Sequence, residues 1–241
     1  MRSNIEGIAF DLDGTLYPNY RLNLKLLPFI SKELRLLKAF GKARKIIRIK
    51  QAEGFLPQGD FYEYQAEITA GVLNNGKIEN KADFIAQIKE KIDALIYRGW
   101  EPLFKNISLY RNVTSTLDAL RKAGFKTGLL SDFPPETKMN YLGISDGWDA
   151  VLCSEKFNAL KPHPLSFNKL SEAMSLPPEK IIYAGNSRSY DVKGAAEAGM
   201  KTAWIKNPLF PGGGVKKPKP DFSFHNYRQL YDFMINSKNK L

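Results

Sequence analysis

Apolar residues along this chain fall into two rhythms. The first appears at once: Ile8-Ala9-Phe10 is a short apolar run that stops at Asp11-Leu12-Asp13-Gly14-Thr15. A short apolar run closed by a glycine turn predicts a buried parallel strand. From about residue 22 to residue 100 the spacing becomes helical. Leu24, Leu27, Phe29, Ile30, Leu34, Leu37 and Phe40 mark one stretch, and Phe84, Ile85, Ile88, Ile92, Leu95 and Ile96 another. Gly54, Pro57, Gly59 and Asn74-Asn75-Gly76 punctuate this block, which predicts a small all-helical unit.

After Pro102 the two rhythms alternate. Helices are predicted over residues 113–123, 135–142, 164–174 and 190–198, and a last one from about Tyr227. Strands are predicted at 126–131, 150–153, 181–184 and 201–205, with a last one near Phe222-Ser223-Phe224. The glycine-rich stretch 208–220 reads as a loop. Strands alternating with helices imply an α/β fold, a Rossmann-like parallel sheet with helices on both faces. The first strand therefore belongs with the C-terminal two-thirds. This divides the chain into an α/β core of residues 1–17 and 104–241 and an inserted helical unit of residues 18–103. The connectors near 17–20 and 101–105 are the expected hinges.

Composition changes this picture little, and charge changes it more. With 241 residues, 43% of them hydrophobic, the chain can bury a sizeable core. No apolar run is long enough to span a bilayer, and the first residues lack the apolar stretch of a signal peptide. The single cysteine, Cys153, allows no internal disulfide and fits a reducing, cytoplasmic setting. The formal net charge is +11, and residues 21–50 carry ten Lys or Arg against one acid, Glu33. Such a run is a solvated helix face, an anion-attracting rim above an active site, or a weak membrane or nucleic-acid patch. Nucleic acid is not the expected partner, although the basic surface leaves weak anion binding open. Nothing in the sequence speaks to oligomeric state.

In open parallel sheets, sites lie beyond the carboxyl ends of the strands. The residues there are Asp11 and Asp13 after the first strand, Ser131 at the end of the second, Lys161 in the loop after the third, and Gly185-Asn186 followed by Asp191 after the fourth. Taken in order, this set resembles the haloacid dehalogenase superfamily over nearly the whole chain, and the helical insert resembles that family's C1-type cap. The resemblance implies a phosphomonoester hydrolase acting on a small phosphorylated metabolite. Asp11 would be the covalent nucleophile, and Asp13 the general acid and then base. Ser131, Lys161 and the backbone N–H groups around Leu12 and Asp132 would bind the phosphoryl oxygens. Mg²⁺ would be held by Asp11, the Asp13 carbonyl and the fourth motif. That motif departs from the usual pattern, with Asn186 where the family carries an aspartate. Asn186 and Asp191 are both candidate ligands, and weakened metal binding is expected.

Other functions share these residues. A haloacid dehalogenase would use Asp11, Ser131 and Lys161 without an acid at position 13 or a metal. A phosphonate hydrolase would need a marked cap lysine, and none stands out. A phosphomutase would keep the same core. A catalytically weak relative would use the basic segment to bind anions or partners. Each residue also has a plain structural reading. Asp13-Gly14 is a common turn pair, Ser131 and Asp191 are acceptable helix caps, and Lys161 suits an exposed loop. His163, between two prolines, reads as structural or solvent-facing, and Cys153 as core.

Overall fold

The computed structural model describes residues 5–75, 81–206 and 218–238. Gly76 and most of the 208–220 stretch lie outside them, as do residues 1–4. The side chains of residues 27–32, which include Leu27, Phe29 and Ile30, also lie outside the description.

Six strands form one parallel sheet: β1 (Gly7–Phe10), β2 (Lys126–Ser131), β3 (Ala150–Cys153), β4 (Ile181–Gly185), β5 (Lys201–Ile205) and β6 (Phe222–Phe224). Their spatial order is β3-β2-β1-β4-β5-β6, so β1 lies between β2 and β4. Phe10 is in register with Leu129 on one side and Ala184 on the other. Every residue of β1 is buried, because its alternating side chains enter different cores. Ile8 and Phe10 pack with Leu117, Leu129 and Tyr227, while Ala9 packs with Phe167, Leu170 and Tyr183. Burial on both faces is why this strand reads as a continuous apolar run rather than an alternating one.

Between β1 and β2 runs an all-helical segment: α1 (Asn19–Ala52), α2 (Phe61–Leu73), α3 (Lys81–Ile92), a π-helical turn at Asp93–Tyr97, the single turn α4 (Arg98–Trp100) and a 3₁₀ turn at Glu101–Asn106. It has its own core of Leu36, Phe40, Ala66, Ala70, Ile88, Ile92 and Ile96. The remaining helices are α5 (Val113–Lys122), α6 (Glu136–Leu142), α7 (Pro164–Met174), α8 (Lys193–Glu197) and α9 (Tyr227–Lys238). None of the described helices is long and apolar enough to cross a membrane. Cys153 is buried. His163 caps α7, its Nδ1 accepting from the Leu165 N–H at 3.2 Å.

Two expectations shift. The buried side of α1 carries Leu22 and Leu26, then Leu36, Phe40, Ala43 and Ile47, whereas Leu24 and Leu34 are exposed. A break in helical geometry at Glu33 separates the two halves, so one stripe does not run the length of the helix. The predicted helix over 190–198 begins instead as a π-helical turn at Arg188–Val192 and becomes α-helical only at Lys193–Glu197. The Ser187 side chain caps that turn, accepting from the Tyr190 N–H.

Candidate active site

The loop after β1 is fixed by its own backbone. The Asp11 N–H donates to the Ala184 carbonyl at 2.9 Å, and the Thr15 and Leu16 N–H groups fold back onto the Leu12 carbonyl. Gly14 takes φ +87°, and a Cβ built there would fall 2.0 Å from Asn186 Nδ2. Both conformation and space therefore require glycine. The Tyr227 hydroxyl, donating to the Thr15 carbonyl at 2.7 Å, anchors the loop to α9.

This geometry turns Asp11 inward, where it is 5% exposed. Thr15 Oγ1 donates to its Oδ2 at 2.8 Å and Lys161 Nζ to its Oδ1 at 2.6 Å. The same ammonium reaches Asp191 Oδ1 at 2.7 Å, so one lysine bridges two buried carboxylates. Asp191 spends its other oxygen on the Ser187 N–H at 2.9 Å. Burial pushes the Asp11 carboxyl up to about 7; Lys161 works against this, and the like charges of Asp191 and Asp13 add to it. Burial opposes the charge on Lys161, but Asp11 and Asp191 overcome it and hold the ammonium protonated well above the usual range.

Asp13 faces the other way, its side chain 26% exposed. Lys138 Nζ touches both its oxygens, at 3.0 and 2.9 Å, and the Tyr17 hydroxyl donates to Oδ1. Burial would raise its pKa, yet Lys138 and Tyr17 together bring it below the ordinary aspartate value. Ser131 Oγ lies 3.5 Å from Asp13 Oδ2 and accepts from the Phe133 N–H at 3.1 Å. The strand ends thus bring Asp11, Asp13, Ser131, Lys161, Asn186 and Asp191 to one edge of the sheet.

For Leu12 and Asp132 the expected contact is through the backbone N–H, and their side chains serve other purposes. Leu12 is fully buried in the core, its carbonyl occupied by the turn. The Asp132 side chain receives Arg48 Nη2 at 2.7 Å, Ser154 Oγ at 2.6 Å and the Lys161 N–H at 3.0 Å. Burial opposes its charge, but Arg48, Lys161 and Arg44 hold it far below the carboxylate range. Arg48 also donates through Nε to the Lys161 carbonyl at 2.7 Å. Lys138, Tyr17 and Arg48 are the residues at this site that the motifs do not mark. For Arg48 the dense basic run was a signal. For Lys138 there was none beyond its place one turn into the helix after β2.

The donors available for a cation are the Asp11 carboxylate, the Asp13 carbonyl and the Asn186 amide. Asn186 Nδ2 lies 3.0 Å from that carbonyl, and a half-turn of the amide would present its oxygen there instead. Among the described residues no group of three or more His, Cys, Asp or Glu is placed to hold a metal. An all-oxygen set with one carboxylate fits Mg²⁺ that keeps several waters. It does not fit a soft transition metal.

A parallel sheet in this strand order, with a buried Asp–Lys–Asp cluster beyond the end of its central strand, defines a class. Residues 5–199 match the haloacid dehalogenase-like hydrolases, and the chain belongs to that family. Among its relatives, glyceraldehyde 3-phosphate phosphatase of Methanopyrus kandleri is 26% identical over 95% of this chain and 96% of its own. Phosphoglycolate phosphatase of Vibrio vulnificus is 25% identical over 98% and 99%. Solved structures share the fold. The HAD phosphatase from Thermococcus onnurineus superimposes with a TM-score of 0.65 at 23% identity, over 95% of this chain and 98% of its own. The L-2-haloacid dehalogenase from Xanthobacter autotrophicus gives 0.64 at 18%, over 96% and 98%. The protein is a hydrolase of this family, with phosphatases among its relatives along nearly their whole length.

Proposed function

We propose that the protein is a Mg²⁺-dependent phosphomonoester hydrolase that works through an aspartyl-phosphate on Asp11. The observation that carries this is the pairing of a buried carboxylate, Asp11, with a second carboxylate, Asp13, presented to the adjoining cavity. A dehalogenase has no use for an acid at that place. Asn186 donating to the Asp13 carbonyl favours the dehalogenase reading as the second choice, since it puts an amide nitrogen where a cation ligand is expected.

The chemistry follows from the contacts. An Asp11 oxygen attacks phosphorus, forming one O–P bond as the ester O–P bond breaks. Asp13 gives its proton to the departing alkoxide, then takes one from the water that attacks the phosphoenzyme, releasing Asp11 and inorganic phosphate. Asp13 must be protonated for the first step, and an arriving phosphate dianion favours this by like-charge repulsion. Lys161, oriented by Asp191, keeps a positive charge on Asp11 and on the transferring group. Ser131 Oγ and backbone N–H groups of the loops after β1 and β2 receive the phosphoryl oxygens. Asp11, the Asp13 carbonyl and the Asn186 amide would hold Mg²⁺, which when bound offsets phosphoryl charge. Asp191, bonded to the Lys161 ammonium and to the Ser187 N–H, would support from behind Lys161 rather than as a ligand.

The helical unit of residues 18–103 acts as a cap over the core of residues 1–17 and 104–241, with hinges near 17–20 and 101–105. The test is hydrolysis of an aryl phosphate with Mg²⁺ and with chelator. Turnover that depends on Mg²⁺ and disappears in Asp11→Asn is the expected result. Turnover indifferent to the metal, or surviving in Asp11→Asn, would overturn the mechanism.

A further inference from the structure

Beside Asp13 lies a cavity of about 220 Å³ whose walls come from both parts of the chain. Tyr17, Phe104 and Phe133 contribute from the core side, and Leu26, Tyr97 and Trp100 from the helical segment. Phe104 and Tyr17 meet edge to face at 5.6 Å, and Tyr97 and Phe133 meet at a tilt at 6.0 Å, so the rings pack against one another around the cavity. The polar lining is sparse. Lys138 is its cation and is spent on Asp13. Glu101 adds a second carboxylate, and Asn19 and Asn23 add neutral amides. Among the described residues, the indole Nε1 of Trp100 is buried without a hydrogen-bond partner.

These features bear on the alcohol that leaves. With phosphorus at Asp11, the ester oxygen faces Asp13, and the rest of the leaving group extends into this cavity. Once Asp13 is protonated, an anionic leaving group such as glycolate would meet Lys138 and Glu101 together, whose charges offset each other, among largely apolar walls. An apolar cavity of about 150 Å³ is enough to take a benzene ring, so this one accommodates a ring with room to spare. A two-carbon leaving group would leave most of it unfilled.

We infer that the substrates are phosphate monoesters of alcohols bearing an aromatic or branched apolar group. This rests on the phosphatase reading and narrows it to a substrate class. It also separates this chain from relatives named for phosphoglycolate and glyceraldehyde 3-phosphate.

The experiment compares kcat/KM for 2-phenylethyl phosphate and 3-methylbutyl phosphate with that for ethyl phosphate, all with Mg²⁺. The alcohols are similarly basic, so the ratio reads contacts to the leaving group rather than its chemistry. A preference of about tenfold or more for the larger esters is expected, the range one or two apolar groups supply in a fitted pocket. It should lie mainly in KM. Trp100→Ala should reduce the ratio towards one, and Phe133→Leu does the same job should the first variant fail to fold. Phosphoglycolate turned over as well as 2-phenylethyl phosphate would overturn the inference and leave the phosphatase reading standing. So would a ratio unchanged in both variants.

Should no ester be hydrolysed, the phosphatase reading falls, and the cavity is tested by calorimetry with phosphonates. Tighter binding of 3-phenylpropylphosphonate than of methylphosphonate would then support the cavity as the seat of an apolar group, with the ester substrate class overturned. Equal binding would overturn both.

Discussion

Asp13 is asked to give up a proton, yet in the resting site it accepts from Lys138 at 2.9 Å and from Tyr17. Burial alone would raise its pKa, and these two donors turn the balance downward. The sign of a substitution follows. Removing the ammonium in Lys138→Met raises the Asp13 pKa, so the carboxyl stays protonated to higher pH. The alkaline limb of kcat, measured on a poor alkyl leaving group, should move to higher pH, while Lys138→Arg keeps it near its original place. An unmoved limb in Lys138→Met would remove this lysine from the control of Asp13. Sequence could not single out Lys138, one of 36 basic residues, because its role depends on how α6 is angled against the loop after β1. Asp11 and Lys161 were legible for the opposite reason. Each is tied to the end of a strand or the loop following one, and the parallel sheet dictates where those ends meet.

At the scale of elements, α1 does more than cover the site. Arg44, 5% exposed, pairs with Glu155, 1% exposed. Gln65 Oε1 accepts from the same guanidinium at 2.8 Å, and the Tyr97 hydroxyl donates to Glu155 at 2.9 Å. Burial opposes the charge on Arg44, but Glu155 holds it protonated. This ties α1, α2 and the π-helical turn to the loop after β3. Removing one partner strands a buried charge, which costs about 3–5 kcal/mol, whereas replacing both with apolar groups of similar volume is often neutral or better. Arg44→Met should therefore lower the urea-unfolding free energy by about 3 kcal/mol, and Arg44→Met with Glu155→Met should recover most of the loss. A double variant as unstable as the single one would show that the pair contributes net stability. The elements differ in how far sequence revealed them. β1, β2 and β4 are short buried runs, so local pattern and tertiary burial agree. In α1 the leucines are dense enough that several stripes fit, and only packing against α2 and the break at Glu33 select Leu36 and Phe40 over Leu34. The basic run likewise split in a way no count could show: Arg44 and Arg48 turn inward to Glu155 and Asp132, while Lys38, Lys42 and Lys45 remain exposed.

For the whole molecule, the consequence is a field. A formal charge of +11 on a chain whose candidate substrate is a dianion should raise the rate of encounter, because summed surface charge steers oppositely charged ligands. The inward arginines are neutralised by local partners and add little at a distance. The exposed lysines of α1 lie on the segment that walls the cavity, and their field reaches solvent. Salt shortens that reach, from about 30 Å at 0.01 M to about 8 Å at 0.15 M. The kcat/KM for a phosphate monoester should fall several-fold across that range, with the loss in KM and kcat nearly constant, since contacts inside the closed site are screened far less. Lys42→Glu with Lys45→Glu should flatten the salt dependence without touching a group near Asp11. A slope unchanged in that double variant would place the steering charge elsewhere on the surface. A wild-type slope near zero would mean that the positive charge serves something other than the substrate's approach, as a solvated helix face would.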